Sequence, residues 1–239
     1  MDNENKTDSS NAEHKKPKLR TERVFLILVL LAVIAYGVYY FAGPGNKPIN
    51  VPVTPVNPNQ NLEVAAMVNG EPVLMSSINR QLERVPASYN GSITAEMLLN
   101  QTIRETLIKQ EAKKIGIVIS NASVLAYINE TLAQQQLSQE GLMKELATQN
   151  YTWDEFVDEV HKQMIIVEYI NQTVLSKINI TEAEITNYYN ASQYPAQNVS
   201  LADVHDYIKQ GLLTNRAQPL FSGQLQTLLM VSNITVYMK

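Results

Sequence analysis

The longest hydrophobic run in the chain lies near its N-terminus and contains no charged residue. Residues 24–42 read VFLILVLLAVIAYGVYYFA. As a helix this run measures about 28 Å, close to the ~30 Å hydrocarbon core of a bilayer. It is longer than the apolar region of a cleaved signal peptide, and it ends in aromatic residues suited to the membrane interface. The run predicts an uncleaved single-pass transmembrane anchor, and a buried core helix is the alternative interpretation.

The charges on the two sides of this run predict its orientation. A cluster of five Lys and Arg residues directly precedes it, namely Lys15, Lys16, Lys18, Arg20 and Arg23. Behind it Lys47 is the only basic residue before Arg80. The positive-inside rule therefore places the N-terminus in the cytoplasm and the C-terminal part outside the membrane.

The composition around the anchor predicts four segments. Residues 1–23 lack apolar side chains to bury and form a disordered cytoplasmic tail with a basic end. The anchor, 24–42, is followed by a proline-rich extracytoplasmic linker, 43–62, which favours extended polyproline conformation. A ligand for an aromatic groove is the alternative function of this linker. Residues 63–239 form the folded domain.

The folded domain begins with a pattern typical of a β-hairpin. In VAAMVNGEPVLM, residues 64–75, apolar runs flank Asn69-Gly70, the pair that a type I′ turn favours. Because an isolated hairpin is marginally stable in water, the pattern requires a partner strand elsewhere in the chain. The segment from Asn233 to Tyr237 is also β-prone and alternating.

Between these segments the hydrophobic period is helical. Two helices are predicted from Ser76 or Ser77 to about Val85 and from Thr94 to Lys114, the second followed by Gly116. Two shorter helices are predicted at 122–136 and 139–148. Capping boxes predict further helices after Thr152 and Thr181, and a long helix from Ser200 that Pro219 should kink or break. In the second helix two stripes, Leu99/Ile103/Leu107 and Ile108/Ala112/Ile115, predict packing on two sides. In the helix after Thr152 one apolar face is predicted: Trp153, Val157, Val160, Met164, Val167 and Val174.

Asn-x-Ser/Thr triplets are unusually frequent beyond the anchor. Ten occur, beginning at Asn90, Asn100, Asn121, Asn129, Asn150, Asn171, Asn179, Asn190, Asn198 and Asn233. Glycan acceptors on an exported surface explain this density and agree with the charge topology. The loop sites Asn90 and Asn198 are expected to be modified most readily, whereas Asn121 and Asn179 double as helix caps. Together the two signals indicate a glycoprotein with its C-terminal domain on the cell surface, of archaeal type.

Composition excludes several kinds of chemistry. The 239 residues contain no cysteine, and a net charge of −4 without an aromatic-interleaved basic patch makes nucleic acid an unexpected partner. His161 and His205 lie on predicted helices without a paired acid or metal-ligand spacing. Glu155, Asp158 and Glu159 are interpreted as a solvated helix face. No phosphate-binding loop and no nucleophile motif occurs, so neither nucleotide, cofactor, metal nor catalytic residue is predicted.

The order of these motifs resembles a known family. The hairpin, the long helix ending LIKQEAKKIGIVIS and the later INQTVLSKINITEAEITNYYNAS together resemble the N-terminal chaperone domain of SurA-type and PrsA-type foldases. The resemblance covers residues 63–190 and the returning helix and strand at 200–237. It implies a mainly α fold, with the anchor followed by a helical domain whose hairpin pairs with the C-terminal strand. The short link from Ser192 to Val199 leaves no room for the parvulin isomerase domain found there in many members.

The resemblance implies a membrane-anchored, extracytoplasmic holdase chaperone that binds unfolded or newly exported polypeptides. Met143 and Met164 are candidate client-binding residues, because methionine side chains adapt to varied surfaces, and core filling is their alternative role. Two other functions stay open. One is a non-catalytic interaction subunit of a cell-envelope assembly, and the other is an isomerase-related foldase with an unrecognised site.

Overall fold

The computed structural model describes residues 64–85 and 91–238. The predicted tail, anchor and linker, and the sequon at Asn90, lie outside these ranges. In chain order the elements are β1 (Val64–Val68), β2 (Glu71–Leu74), α1 (Met75–Glu83), α2 (Ala95–Lys114), α3 (Asn121–Gln134), α4 (Gln139–Thr148), α5 (Trp153–Thr173), α6 (Glu182–Ala191), α7 (Leu201–Val231) and β3 (Ile234–Val236). The mainly helical domain with a small antiparallel sheet is confirmed.

The hairpin and its C-terminal partner form a three-stranded sheet in the order β2-β1-β3. Asn69 and Gly70 have φ angles of 50° and 87°, the positive values that a two-residue type I′ turn requires. Strand β1 pairs antiparallel with both neighbours, so that Met67 lies opposite Pro72 on one side and Thr235 on the other. Pro72 is tolerated because β2 is an edge strand. The predicted closure of the hairpin by the C-terminal strand is confirmed.

The side chain of Asn69 joins this turn to two other elements. Its Nδ2 donates to Oε1 of Gln110 on α2 at 2.8 Å and to Oγ of Ser232 at 3.3 Å. Its Oδ1 accepts from the backbone N–H of Asn233 at 2.8 Å. The turn residue therefore fastens β1 to α2 and to the segment that enters β3.

Helix α2 is packed on two sides, as its two apolar stripes predicted. Leu99, Ile103 and Leu107 belong to the sheet cluster, a core formed with Ala65, Ala66, Val68, Val73 and Ile78. Ile108 and Ala112 belong to the central cluster, formed with Ile117, Ile166, Tyr169, Val174, Ala217, Phe221 and Leu225. The prediction was wrong for Ile115, which is 49% exposed. Gly116, at φ +82°, turns the chain there, and Ile117 is the buried residue instead.

Helix α5 also contacts two cores. Phe156 and Val160 pack in the third cluster with Val124, Ile128, Leu132 and Leu142 of α3 and α4, whereas Ile166 and Tyr169 lie in the central cluster. The prediction of a single apolar face was wrong, because Val167 is 50% exposed. The buried side changes along the helix as its neighbours change, and sequence periodicity over one face does not show this.

The capping boxes at Thr152, Thr181 and Ser200 are confirmed, each with reciprocal hydrogen bonds between the cap and the acidic residue three positions later. Thr94 is also confirmed as the cap of α2, whereas the serine cap predicted for α1 was wrong. Leu74 occupies the N-cap of α1 without a side-chain cap, and Ser77 Oγ donates to the Leu74 carbonyl at 2.7 Å.

Asn121 and Asn179 are not caps either. Ser120 caps α3 and Thr181 caps α6. The observed cap lies one residue before Asn121 in the first case and two residues after Asn179 in the second.

Pro219 lies inside α7 and does not break it. The proline removes one N–H donor, but both Pro219 and Asn215, four residues earlier, are exposed, so water can satisfy the carbonyl left behind. Residues 192–200 form the short link between α6 and α7. Within residues 64–85 and 91–238, no helix is both long enough and apolar enough to cross a membrane.

Candidate functional site

The solvent side of the C-terminal half of α7 exposes several large apolar side chains. Its buried side places Ala217, Phe221 and Leu225 in the central cluster. Opposite them lie Pro219, Leu220, Gly223, Gln226, Thr227, Met230 and Val231, all exposed, which we call the α7 face. Leu220, Met230 and Val231 are 50%, 72% and 75% exposed.

The α7 face carries no charge. Residues 217–238 are 22 consecutive residues without Asp, Glu, Lys or Arg, in a chain of which 18% is charged. A solvated helix face normally carries charged side chains, so an exposed apolar face without them is typical of an interaction surface. Sequence analysis missed this surface, although the length of the uncharged run was readable from the sequence.

The two methionines predicted to bind clients lie in different environments. Met143 is 46% exposed on α4. Met164 on α5 is half-buried and packs against the third cluster. Their role in client binding stays a prediction.

A buried ionic network joins α2 to α5. Lys162 Nζ lies 2.8 Å from Oε2 of Glu105 and 2.7 Å from Oε2 of Glu159, and the Glu105 side chain is only 5% exposed. Burial opposes the charged form of Lys162, but the attraction of the two carboxylates outweighs it and raises the Lys162 pKa above its usual range. Gln101 Nε2 donates to the other oxygen of Glu105 at 2.8 Å. The network is structural, because its groups satisfy one another.

A second network joins α1 to the start of α5. Glu155 accepts from Arg80 at 2.5 Å and from Arg84 at 2.7 Å, and the Arg84 guanidinium lies 3.7 Å from the centre of the Tyr151 ring. The backbone N–H of Thr152, followed by the two arginines, holds the Glu155 pKa at about 2. The interpretation of Glu155 and Glu159 as a solvated face was wrong, since both are ion-paired, whereas Asp158 is exposed.

The prediction that His205 has no paired acid was also wrong. His205 Nε2 lies 2.8 Å from Oε2 of Glu182 on α6, and Nδ1 lies 2.9 Å from Oδ1 of Asp206. These hydrogen bonds raise the His205 pKa. Because Glu182 lies 23 positions earlier, only the packing of α6 on α7 brings the pair together. His161 Nε2 contacts the carbonyl of Ile119 at 2.9 Å.

The ionisable clusters of the described domain have structural partners. Among its residues, no group of three or more His, Asp or Glu side chains is arranged to hold a metal ion. The α7 face, by contrast, presents apolar area and the side-chain amide of Gln226 to solvent. An exposed face of this kind suits the binding of a polypeptide.

The family model of the SurA-like N-terminal domain matches residues 16–170. The chain belongs to this family. The match includes β1 to α5 as far as Ile170, whereas α6, α7 and β3 lie beyond it. The SurA family resemblance inferred from sequence motifs is confirmed.

Relatives of known name are chaperones. The chain is 30% identical over 136 residues to chaperone SurA of Vibrio cholerae, covering 54% of this chain and 32% of that protein. It is 32% identical over 136 residues to chaperone SurA of Photorhabdus laumondii, covering 54% and 31%. The chain thus spans about a third of the length of the curated relatives it matches. These matches indicate a chaperone domain and no catalytic family.

One solved structure is also similar to part of the chain. A SurA-like chaperone of Campylobacter jejuni superposes with a TM-score of 0.41 at 17% identity, covering 54% of this chain and 50% of that chain.

Proposed function

We propose that this protein is an extracytoplasmic holdase chaperone that binds unfolded or newly exported polypeptides on the α7 face. Membership of the SurA-like N-terminal domain family and the chaperone relatives support the general role. The uncharged, exposed α7 face is the single observation that carries the location.

The chemistry of the α7 face selects among client segments. Burial of the apolar area of Leu220, Met230 and Val231 against a client stabilises the complex by roughly 25 cal/mol per Å². A charged client segment would lose water there without meeting an opposite charge, so uncharged apolar segments bind preferentially. Methionine at 230 adapts to different client side chains. Because such a surface is not optimised for one sequence, binding is weak and exchanges rapidly.

The proposal includes a membrane anchor at residues 24–42, with the tail 1–23 in the cytoplasm, the linker 43–62 as a spacer and the chaperone domain at 63–239. The uncharged run and the basic residues before it support this topology. Tethering raises the local concentration of the domain where exported chains emerge, which offsets weak affinity. Resistance of the full chain to alkaline extraction from membranes tests the anchor, since release into the supernatant would contradict it.

The proposal also includes N-glycosylation of the extracytoplasmic domain at some of the ten sequons, on a cell surface of archaeal type. Their density supports it. Site-resolved mass spectrometry of native protein tests it, and unmodified asparagine at every sequon would contradict it.

The holdase proposal is tested with the purified full chain in detergent micelles. We expect it to delay aggregation of a urea-unfolded model polypeptide without nucleotide. Leu220→Glu and Met230→Glu each place a charge on the α7 face and should weaken this effect, whereas Gln210→Glu, an exposed α7 position outside the face, should not.

Two results would contradict the proposal. If the wild-type chain does not delay aggregation of several unfolded polypeptides, the holdase function fails and a fixed partner on the α7 face, as in an envelope assembly, becomes the better proposal. If the wild type acts but the two face variants act equally well, the client site lies elsewhere, with Met143 on α4 as the next candidate.

A further inference from the structure

The Ser and Thr hydroxyls of the sequons share a structural feature that the sequence does not show. In each motif the hydroxyl of Ser or Thr is part of the acceptor signal together with the asparagine. In eight of the nine sequons whose asparagine is described, that hydroxyl makes a hydrogen bond within the folded domain. These residues are Thr102, Ser123, Thr131, Thr152, Thr173, Thr181, Ser192 and Ser200.

In three of these sequons the hydroxyl belongs to a capping box. Thr181 Oγ1 donates to Oε2 of Glu184 at 2.9 Å and accepts from the Glu184 backbone N–H at 3.3 Å. Thr152 and Ser200 make the same pair of bonds at the starts of α5 and α7. A transferase that engages the hydroxyl must therefore first break this cap, which contributes about 1 kcal/mol or more to the stability of the helix start.

In the other five sequons the motif lies in or at the end of a helix, among them Asn121, whose Ser123 hydroxyl lies 2.8 Å from Ser120 Oγ. Thr102, Thr131 and Thr173 donate to the carbonyl four residues earlier, and Ser192 donates to the Tyr189 carbonyl. Residues i and i+2 of a helix do not face each other, being about 200° apart around its axis. One enzyme site cannot contact both the asparagine and the hydroxyl of a helical sequon.

The sequon at Asn233 differs from the other eight. Asn233 is exposed and directly precedes β3, an edge strand in which Thr235 lies. In an extended chain residues i and i+2 project to the same side. Within the part of the chain that the structure describes, the Thr235 hydroxyl makes no hydrogen bond. Among the nine described sequons, this one alone has its hydroxyl residue in a strand with the hydroxyl free of a hydrogen bond.

The asparagines themselves lie mostly at the surface. Asn100 on α2 is half-buried, and the other eight described sequon asparagines are exposed. A glycan attached to any of those eight in the unfolded chain can therefore remain in solvent after folding, whereas a glycan at Asn100 would obstruct the packing of α2.

From this geometry we infer that N-glycosylation of the domain precedes its folding, and that among the nine described sequons only Asn233 remains an acceptor in the folded state. The inference rests on the proposed export and glycosylation. In the reaction, the asparagine Nδ2 forms a bond to the anomeric carbon of a lipid-phosphate-linked sugar. The bond from that carbon to the phosphate oxygen breaks, the lipid phosphate leaves, and one Nδ2 proton passes to solvent or base.

The test compares the full chain in two states with one transferase. Translation into microsomes presents the chain to the enzyme during translocation, before folding. The same chain, made without glycans and purified folded in detergent, is incubated with solubilised microsomal transferase and lipid-linked donor, and an acceptor peptide confirms that the enzyme is active. Site occupancy is read by mass spectrometry. Ile103→Ala, which removes a fully buried side chain with all sequons intact, serves as the destabilised variant.

We expect occupancy at Asn150, Asn179 and Asn198 in the translocated chain, and at least about tenfold less in the folded chain, because opening a capped helix end is unfavourable. Asn233 should be modified in both states, and Ile103→Ala should regain occupancy at the capped sites. Equal modification of the capped sites in folded and translocated wild type would overturn the inference. If the peptide is modified but the translocated chain is not, glycosylation itself fails and the inference with it.

Discussion

Replacement of Lys162 by methionine tests the buried network between α2 and α5. The substitution keeps the aliphatic stem but removes the charge that Glu105 and Glu159 share, at 2.8 and 2.7 Å. Glu105, 5% exposed, would then keep only its bond from Gln101. Removing one partner of a fully buried pair costs about 3–5 kcal/mol, and because Lys162 is 23% exposed we expect about 2–4 kcal/mol.

Two further variants separate charge from packing. Glu105→Gln leaves Lys162 its second carboxylate and should cost about 1 kcal/mol. The double variant Lys162→Met/Glu105→Leu removes both buried charges and should return to within about 1 kcal/mol of the wild type, since apolar replacement of a whole buried pair is often neutral.

The assay is urea unfolding of the full chain in detergent, followed by fluorescence of Trp153, the chain's single tryptophan. Its ring packs on the third cluster, 5.8 Å from Phe156, so its signal reports the unfolding of that part of α5. A Lys162→Met loss below about 0.5 kcal/mol would refute the reasoning, as would a double variant no more stable than the single one.

Three other variants test local interactions. Asn69→Asp removes the amide donor to Gln110 and should lower the free energy of unfolding in urea by about 1–3 kcal/mol. Asn69→Gly keeps the positive φ but lacks the side chain, so a comparison of the two variants shows how much of the loss comes from the added charge. His205→Gln should lower the melting temperature below about pH 6 and have little effect at high pH, because a raised histidine pKa adds stability that is lost as pH rises through the folded value. Equal losses at both pH values would contradict this. Glu155→Gln should be destabilising above about pH 4 and lose its effect as pH falls towards 2, because a lowered carboxyl pKa adds stability that is lost as pH falls through the folded value.

Local elements were predictable from sequence because their causes are local. Asn69-Gly70 specifies its turn, and each capping box specifies a helix start within four residues. The closing strand was predictable only through the family resemblance, since the pairing of β1 with β3 joins the two ends of the domain.

The wrong predictions concern residues whose exposure or partner is set by packing between elements that are distant in sequence. Val167 and Ile115 follow the helical period, yet the positions of neighbouring elements leave them exposed. Likewise the partner of His205 lies 23 positions away on another helix. The α7 face was readable as an uncharged run, but its exposure depends on which side of α7 meets the central cluster.

Site-specific photocrosslinking tests the location of the client site most directly. A photoreactive amino acid is placed at Met230 on the α7 face, at Met143 on α4 or at Gln210 outside both, and the full chain is irradiated with a urea-unfolded model polypeptide. The account predicts that crosslinks form mainly from position 230 and disappear when the polypeptide is folded. Crosslinks that form equally from all three positions, or mainly from position 143, would contradict it.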